Sequence, residues 1–377
     1  MTTTLNHALS PTERTRVRRH SERAQTERAD LFAVLDAGMI CHLGVIMNGS
    51  PVVLPTAYGR IGETLYLHGS SANRSMHAAD GHEVCVTVTH VDGLVCARAA
   101  FTHSVNYRSA VVFGTARIVT DEAERLAGLR AVTEQLIPGR WDAVRAPTRK
   151  ELAATSVLAL PLSTTKRTTL HRLRERGRAE RAELYAVLDA GLICHMGVVV
   201  DGSPVVLPTG YGRTGDTLYL HGSSANRALL AADGQQVCVT VTHLDGLVCA
   251  RSVFHHSMNY RSAMIFGAAR LLFDDSERLA ALRAVTEQLV PGRWDHVRGP
   301  TRKELAATAV LELSLQEASV KVRTGPPKDE PEDLDAGIWA GVLPLGVAFG
   351  APVTDPELPA GIDAPDHIRA RIQTGNR

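Results

Sequence analysis

The sequence predicts a mainly β protein with peripheral helices, built from two tandem copies of one small antiparallel barrel domain. Three observations support this fold class. Long stretches of sequence recur at a constant offset of 153 residues, which relates Pro138 to Pro291. Each copy contains several short apolar runs that are separated by Asn-Gly, Asp-Gly and other turn-forming residues. Only a few segments have the apolar periodicity of an amphipathic helix.

Length and charge limit the classes of function. A chain of 377 residues is long enough for about two domains of roughly 150 residues each. Its formal net charge of +1 provides no basic surface for nucleic acid or anionic membrane. No apolar run approaches the roughly 20 residues of a membrane-spanning helix, and the polar N-terminus lacks the apolar region of a secretory signal. We therefore expect a cytoplasmic protein with no nucleic-acid or membrane partner.

The duplication sets the predicted domain boundaries. The segment from Thr64 to Arg74 returns unchanged from Thr217 to Arg227. This period is too long for a solenoid repeat, so two whole domains are joined in one chain. The predicted division is a polar N-terminal extension at 1–20, copy one at 21–163, copy two at 170–316, and an extended, Pro- and Gly-rich C-terminal arm at 317–377.

Turn and cap signals give the order of elements within copy one. A helix at 22–36 ends before Gly38, a residue type common after a helix C-terminus. Strands at 40–47 and 51–58 flank Asn48-Gly49, a strong hairpin signal that is Asp201-Gly202 in copy two. The remaining predicted elements are a strand at 63–68, a Ser70-capped helix to Ala79, a hairpin of 83–90 and 94–101 around Val91-Asp92-Gly93, a strand at 108–119, helices at 121–136 and 150–154, and a closing strand at 156–162.

Cysteine and histidine positions narrow the chemistry further. The cysteines form no C-x-x-C pair and lie in apolar runs, so we expect buried, reduced thiols and no metal site. His42 and His195 lie in apolar strands and are expected in the core, whereas His90 and His243, at predicted strand ends, are expected in solvent. The sequence has no zinc-protease, Walker, nucleophile-elbow or paired-carboxylate motif, which leaves hydrolase and kinase functions without support.

One candidate binding segment joins the end of a strand to the start of a helix, at 67–74 in copy one and 221–227 in copy two. A Gly after the strand lets the chain turn. Backbone N–H groups, two hydroxyls and one Arg then surround the positive end of the helix. This pattern predicts a phosphate site, although an ordinary capped helix with a surface Arg has the same pattern.

A second candidate segment contains a proline within a predicted strand. Proline in a strand is confined to edges and bulges, where backbone groups lack a ladder partner and can bind either a planar ring or water. The polar and aromatic members of the segment are Pro55, Thr56 and Tyr58 in copy one, and Pro208, Thr209 and Tyr211 in copy two.

A third candidate segment contains His256 and Tyr260, and His103 is the copy-one counterpart of His256. Adjacent strand residues face opposite sides, so His255 and His256 are not expected to share a ligand. Two interpretations stay open. The segment either holds a cofactor or poises a substrate proton at the rim of the barrel, or it is a polar loop that satisfies backbone groups.

Taken together, the motifs resemble a known family. Leu-Asp-Ala-Gly-x-Ile-Cys-His, Leu-Pro-Thr-x-Tyr-Gly-Arg, Leu-Tyr-Leu-His-Gly-Ser, Asn-Tyr-Arg-Ser, Pro-Gly-Arg-Trp-Asp and Lys-Val-Arg-Thr-Gly-Pro-Pro resemble the pyridoxamine 5′-phosphate oxidase-like family. The resemblance is closer to its flavin-nucleotide-binding branch, near the nitroimidazole-resistance proteins. It implies two FMN-binding split β-barrels that form an intrachain pseudo-dimer, and it does not exclude further homo-oligomers.

The resemblance also implies site residues, with the flavin ring along the second candidate segment and the phosphate along the first. The implied cofactor-binding residues are Pro208, Thr209, Tyr211, His221, Ser223, Ser224, Asn226, Arg227, Lys321 and Arg323, and in copy one Pro55, Thr56, Tyr58, His68, Ser70, Ser71, Asn73 and Arg74. The implied catalytic residues are His221, His256 and Tyr260. Copy one lacks the segment of Lys321 and Arg323 and has Thr102 in place of His255, so the two sites are not expected to be equivalent.

Three functions are consistent with these expectations. The first is an FMN-dependent oxidoreductase that acts on a small molecule, with NAD(P)H as the candidate reductant. The second is a haem enzyme on the same barrel, as in some relatives, with His221 or His256 as the axial ligand. The third is a flavin-binding protein without enzymatic activity.

Overall fold

The computed structural model describes residues 28–99, 103–161, 177–178, 181–359 and 361–374. The predicted extension at 1–20 and Thr102 lie outside the described residues, as does the predicted start of copy two at 170. Within the described ranges, no helix is both long enough and apolar enough to cross a membrane.

Repeat one is a curled antiparallel sheet with short helices at its edges. Its described strands are β1 (Ile40–Met47), β2 (Ser50–Ile61), β3 (Thr64–Ser70), β4 (Glu83–Val95), β5 (Ser104–Thr115), β6 (Arg117–Ile118) and β7 (Thr155–Pro161). Its described helices are α1 (Arg28–Ala37), α2 (Arg74–His77), α3 (Glu122–Leu136) and α4 (Arg149–Ala153). Neighbouring strands follow the order β5-β4-β1-β2-β3-β7-β6.

Repeat two and the arm have the same core topology with additional strands. The strands are β8 (Gly177–Arg178), β9 (Ile193–Val200), β10 (Ser203–Thr214), β11 (Thr217–Ser223), β12 (Gln236–Cys249), β13 (Ser257–Ala268), β14 (Arg270–Leu271), β15 (Thr308–Ser314), β16 (Glu317–Arg323) and β17 (Gly341–Pro344). The helices are α5 (Arg181–Ala190), α6 (Arg227–Ala231), α7 (Asp275–Leu289), α8 (Arg302–Ala306) and α9 (Asp366–Thr374). The sheet order is β14-β15-β11-β10-β9-β12-β13-β16-β8, and β17 pairs with β12. The predicted mainly β class is confirmed.

The two-residue hairpins lie where the sequence predicts them. Asn48 and Gly49 have φ values of 51° and 80°, and Asp201 and Gly202 have values of 50° and 77°. Positive φ at both central residues gives the turn the twist of the flanking strands, and Asn, Asp and Gly tolerate it best. This local preference sets the register of β1 on β2 and of β9 on β10.

The predicted hairpin around Val91-Asp92-Gly93 is wrong. Strand β4 continues through these residues, and the chain turns only before β5. The Asp-Gly pair is a β-bulge, because the register shifts between Val91 and Gly93 and Gly93 lacks a positive φ. Asp92 forms an ion pair with Arg108 of β5 at 2.9 Å, so its side chain spans the two strands.

The predicted Ser70 cap is also wrong. Ser70 is the last residue of β3, and α2 begins after Asn73, whose Oδ1 accepts the N–H of Ser75 at 3.1 Å. Helix α6 begins in the same way, with Asn226 Oδ1 accepting the N–H of Ala228 at 3.1 Å. The asparagine therefore satisfies the first orphan N–H of each short helix.

Two further expectations need correction. Cys96 is exposed, whereas the other five cysteines are buried and reduced as predicted. His90 and His243 do not end strands but bind backbone carbonyls, with Nε2 lying 3.0 Å from Val34 O and 2.8 Å from Val187 O. They therefore hold α1 and α5 against the sheets instead of lying in solvent.

The central contact between the repeats is a pair of stacked histidines. The rings of His42 and His195 lie 3.5 Å apart, with 15° between their planes. Nε2 of His42 is hydrogen-bonded to Thr242 Oγ1 at 3.3 Å, and Nε2 of His195 to Thr89 Oγ1 at 3.1 Å. Each ring thus bonds to the opposite repeat, and both histidines are buried as predicted.

Hydrogen bonds from threonine side chains to backbone carbonyls also join the two repeats. Thr87 Oγ1 donates to Val206 O, and Thr240 Oγ1 donates to Val53 O, each at 3.0 Å. The sheets approach so closely that a Cβ added at Gly44 would lie 2.4 Å from Val206 Cγ2. The two repeats therefore pack face to face as a pseudo-dimer within one chain.

The C-terminal arm contacts both repeats. Strand β16 pairs with β13, and β17 pairs with β12. Asp329 forms an ion pair with Arg251 of repeat two at 2.9 Å, and Asp333 forms one with Arg145 of repeat one at 2.6 Å. These buried or half-buried carboxylates fix the arm across the junction of the repeats.

The stacked histidines predict acid sensitivity. Burial lowers the pKa of His42 to about 3 and holds that of His195 well below its ordinary value. The unfolded chain, with histidine pKa values near 6.5, therefore binds more protons below that pH. We expect each histidine to remove up to about 1.4 kcal/mol of unfolding free energy per pH unit as the pH falls from about 6.5.

Denaturant unfolding between pH 4.5 and 7.5 measures this slope. The His42→Gln/His195→Gln variant should have a shallower slope, whatever its stability at pH 7.5. Exposed His77 provides the control, and His77→Gln should keep the wild-type slope. An unchanged slope in the double variant would contradict the prediction.

Candidate functional site

A small, mainly apolar pocket lies at the junction of the repeats. We call it the His103–His221 pocket, because each repeat contributes one of these histidines. Its lining residues are His103 from repeat one, and His221, Leu282, Val285, Thr286, Leu289, Trp294 and Pro300 from repeat two. The free space inside it, about 20 Å³, is that of about one water molecule. Its mainly apolar wall with few polar groups is typical of small-molecule sites.

Helix α7 and the turn after it build one wall of this pocket. Asp274 caps the helix by accepting the N–H of Ser276 at 2.9 Å. After the helix, Gly292 adopts a φ of +79°. The Glu287 carboxylate accepts the N–H of Gly292 at 2.6 Å and that of Trp294 at 2.8 Å. These bonds fix the tight turn and present the Trp294 indole to the pocket.

His103 enters the pocket with a defined tautomer. Its Nδ1 accepts the N–H of Ala97 at 2.8 Å, so a neutral ring carries its proton on Nε2. Burial, and secondarily the charge of Arg293, lower the pKa of His103 to about 4. The buried Nε2 has no hydrogen-bond partner among the described residues. His103 is therefore a fixed neutral N–H donor at the pocket.

His221 projects from β11 on the opposite wall. Thr209 Oγ1 donates to His221 O at 3.3 Å, at a point where β10 no longer pairs with β11. Gly210 lies beside the ring, and a Cβ added there would be 4.0 Å from His221 Cε1. The pairing of β10 with β11 ends before His221, whose side chain lines the pocket.

The phosphate-type segment after β11 is largely occupied by local bonds. Ser223 Oγ accepts the N–H of Ala225 at 3.2 Å, and Asn226 caps α6. The N–H of Ser224 donates to Ala307 O at 3.0 Å. Exposed Arg227 forms an ion pair with Asp201 at 3.0 Å. Of the residues predicted to bind the phosphate in copy two, only His221 lines the pocket in this structure.

The predicted ring contacts differ from the structure in two respects. Tyr58 and Tyr211 are 0% exposed and donate to Leu35 O and Leu188 O, so they serve the core and do not face a ligand. Pro208 pairs with His195 of β9 in a central strand, and Pro55 has the equivalent position in β2. The prolines therefore mark where a strand changes partner, and not a sheet edge.

The other residues predicted for copy two lie outside the pocket lining. Nδ1 of His256 accepts the N–H of Ala250 at 2.8 Å, and burial lowers the pKa of His256 to about 4. Tyr260 is half-buried in β13, opposite Arg323 of β16. The Arg323 guanidinium donates to Asn259, and Lys321 lies two residues earlier on the same strand. His221, His256 and Tyr260 are thus not brought together in one cluster.

Copy one repeats the arrangement of its counterpart. Thr56 Oγ1 donates to His68 O at 3.4 Å, and burial lowers the pKa of His68, whose Nδ1 has no partner among the described residues. Ser70 Oγ accepts a backbone N–H, the N–H of Ser71 donates to Ala154 O, and Asn73 caps α2. The Arg74 side chain is exposed.

Sequence reasoning missed the other wall of the site. Trp294 belongs to the duplicated Pro-Gly-Arg-Trp-Asp motif and Pro300 follows it, and no sequence pattern indicates a function for either residue. His103 was identified only as the counterpart of His256. Two sequence features could have predicted this wall: the apolar face of α7, which ends in a Gly turn, and a histidine that is present at the same position in both copies.

Comparisons with known proteins agree with this domain organisation. The family model described as pyridoxamine 5′-phosphate oxidase matches residues 27–167 and 180–322, once in each repeat. No curated protein matches the sequence.

Two solved structures are similar to about half of this chain over nearly their whole length. The flavocytochrome Anf3 from Azotobacter vinelandii is 41% identical over 53% of this chain and 94% of its own, with a TM-score of 0.51. The FAD and haem binding protein from Mycobacterium smegmatis is 42% identical over 52% of this chain and 96% of its own, with a TM-score of 0.50.

The geometry predicts the protonation state of His103. We expect a neutral Nε2–H tautomer at pH 7 that gains a second proton only near pH 4, because Nδ1 accepts a backbone bond and burial disfavours the charge. Nitrogen-15 chemical shifts of the imidazoles measure both properties, and His256 should behave in the same way. A charged ring at pH 6, or an Nδ1–H tautomer, would contradict the prediction.

Proposed function

Because the chain belongs to the pyridoxamine 5′-phosphate oxidase family, matched over residues 27–167 and 180–322, we propose that it is a flavin-binding oxidoreductase that acts on a small molecule. The observation that carries the proposal is the match of both repeats to this family, together with two similar structures, 41% and 42% identical, that are named a flavocytochrome and an FAD and haem binding protein. Both repeats contribute to the His103–His221 pocket, which places a fixed polar donor beside an apolar wall.

The residue types of the pocket lining are those that contact flat conjugated rings, but its walls must move apart before a flavin ring can enter a space of about 20 Å³. Leu282, Val285 and Leu289 are apolar, and the Trp294 indole is aromatic. The unpartnered Nε2–H of His103 is the kind of buried donor that a bound acceptor atom is expected to satisfy. A flavin ring has several such acceptor atoms along its polar edge.

The proposed roles follow from these contacts. A bound flavin supplies hydride or electron transfer. His103 donates a hydrogen bond and, with a pKa near 4, stays uncharged at neutral pH. His221 borders the same space from the other repeat, and Trp294 with the α7 leucines excludes water from one face. In this proposal the protein binds and orients, and the acid–base work falls to His221.

The identity of the flavin stays part of the proposal. The sequence resemblance favours FMN, whereas the name of the similar mycobacterial protein includes FAD. Exposed Arg227 and the serines after β11 provide hydroxyl and guanidinium groups for a phosphate or diphosphate outside the pocket. NAD(P)H is the candidate electron donor, and nitro compounds and quinones are candidate acceptors.

Haem is the second candidate cofactor, because one similar structure is named a flavocytochrome and the other an FAD and haem binding protein. A histidine that ligates iron through Nε2 presents a lone pair there and commonly donates its Nδ1–H. His256 and His103 accept backbone N–H groups at Nδ1, so their bonding disfavours that role. Of the two predicted axial ligands, His221 is therefore the one we retain.

The visible absorption spectrum of the purified full-length protein tests the proposal. We expect paired flavin bands that bleach on anaerobic addition of NAD(P)H or dithionite, and chromatography of the released cofactor then separates FMN from FAD. His221→Ala and His103→Ala should each lower the flavin content, whereas exposed His77→Ala should not.

Other spectra would change the conclusion. A Soret band without flavin bands would favour haem, and flavin bands that no reductant bleaches would favour a binding protein without redox activity. A colourless protein that takes up neither added flavin nor haem would contradict the proposed function altogether.

A further inference from the structure

We propose that protonation controls the docking of the C-terminal helix α9. At neutral pH the helix packs on the turn that follows α7, residues 290–296, which we call the α7 turn. When two adjacent histidines, His296 of the turn and His367 of the helix, become charged, the helix is released. The release needs no bound cofactor, so it does not depend on the proposed function.

One apolar side chain anchors α9. Ile368 packs against the cluster of Val285, Leu289 and Val290 at the end of α7. The helix has nine residues, and most of them are polar. A helix shorter than about 12 residues is marginal in water by itself. Contacts with the rest of the protein therefore decide whether α9 stays in place.

The imidazole of His367 provides the second contact. Its ring centroid lies 4.4 Å from that of His296, with 41° between the ring planes. A Cβ added at Gly292 would lie 3.4 Å from the Cβ of His367. The absence of a side chain at Gly292 thus lets the helix approach the turn closely and brings the two rings together.

Repeat one forms the same turn without a docked helix. Its counterpart of Gly292 is Gly139, which also has a positive φ, of 75°. A Cβ added at Gly139 would meet no atom of the described residues within 4 Å. The counterpart of His296 is Ala143. The turn itself therefore does not require the histidine, which belongs to the contact with the arm.

The two rings have defined places for a further proton. Nδ1 of His296 lies 2.6 Å from Gly292 O, and a carbonyl only accepts, so this nitrogen carries a proton. A further proton on His296 must go to Nε2. Nε2 of His367 is buried and has no hydrogen-bond partner among the described residues. Charging both rings therefore places two positive charges side by side.

The nearby carboxylates are already bonded to other groups. Glu287 of α7 accepts two backbone N–H groups of the α7 turn. Asp295 of the turn forms an ion pair with Arg283 at 2.7 Å, and Asp366 of α9 forms one with Arg369 at 2.5 Å. No described carboxylate forms an ion pair with either histidine, so a proton on these rings is not compensated.

The sign of the pH dependence follows from His367. Burial, then the neighbouring charges of His296 and Arg293, lower the pKa of His367. The docked helix therefore binds fewer protons than the released one. Docking is favoured above about pH 6.5, the ordinary histidine value, and weakens as the pH falls. We expect the docking constant to fall by up to about tenfold per pH unit for this proton.

Release of α9 also changes the surroundings of the His103–His221 pocket. Val285 and Leu289, which pack against Ile368, line that pocket as well. When the helix leaves, these two residues lose an apolar neighbour. The protonation of the arm is thereby linked to the packing of the pocket wall.

Hydrogen exchange of the full-length protein, measured by mass spectrometry at pH 7.5 and 5.5 and corrected for intrinsic rates, tests the inference. We expect the protection of residues 366–374 to fall by about tenfold at pH 5.5. Strands β1 and β9 are the internal control and should stay protected. Unchanged protection of α9, or a loss shared equally by β1 and β9, would overturn the inference.

Matched variants assign the effect to the histidine pair. His367→Phe keeps an aromatic ring beside Gly292 but does not titrate, so α9 should stay protected at both pH values. Exposed His77→Phe should keep the wild-type pH dependence. Ile368→Ser removes the apolar anchor and should expose α9 already at pH 7.5. A wild-type loss of protection in His367→Phe, or full protection in Ile368→Ser, would overturn the inference.

Discussion

The packing of β1 against β9 is the constraint on which the rest of the molecule depends. Two imidazoles stack at its centre, and each bonds to a threonine of the other repeat. Threonine hydroxyls and close glycine contacts then fix the two sheets at one distance. His103 lies beside His221 because this face-to-face packing fixes the position of one sheet relative to the other. A change of register at the interface would therefore disassemble the pocket while each barrel remained folded.

Local signals predicted much of the fold. The Asn-Gly and Asp-Gly hairpins, helix α3 and the duplication all follow from short-range preferences or from direct comparison of the copies. The hairpin at Asp92-Gly93 failed because the same dipeptide also suits a bulge, and only the long-range pairing of β4 with β5 distinguishes the two. Ser70 failed as a cap because the strand continues to it through pairing with β7.

The site was harder to predict than the fold, for a physical reason. Tyr58 and Tyr211 lie in a motif with polar neighbours. Their hydroxyls nevertheless donate hydrogen bonds to the buried carbonyls of Leu35 and Leu188, which keeps both side chains in the core. The resemblance to the family implies His221 as a site residue. Its partners in the pocket come from a helix face and from the other repeat. Because these residues come from distant segments of the chain, no local sequence pattern predicts that they lie together.

Joining the two halves in one chain has a consequence for how the pocket assembles. In a homodimer, a site shared between subunits forms in a second-order step and is lost on dilution. Here His103 and His221 belong to repeats of one chain, so the docking of the repeats is a first-order step. The segment that joins the repeats sets the effective concentration of one repeat around the other. The pocket therefore stays assembled at any protein concentration at which the chain is folded. Any ligand that binds there would then meet a site whose formation does not depend on a subunit-assembly equilibrium.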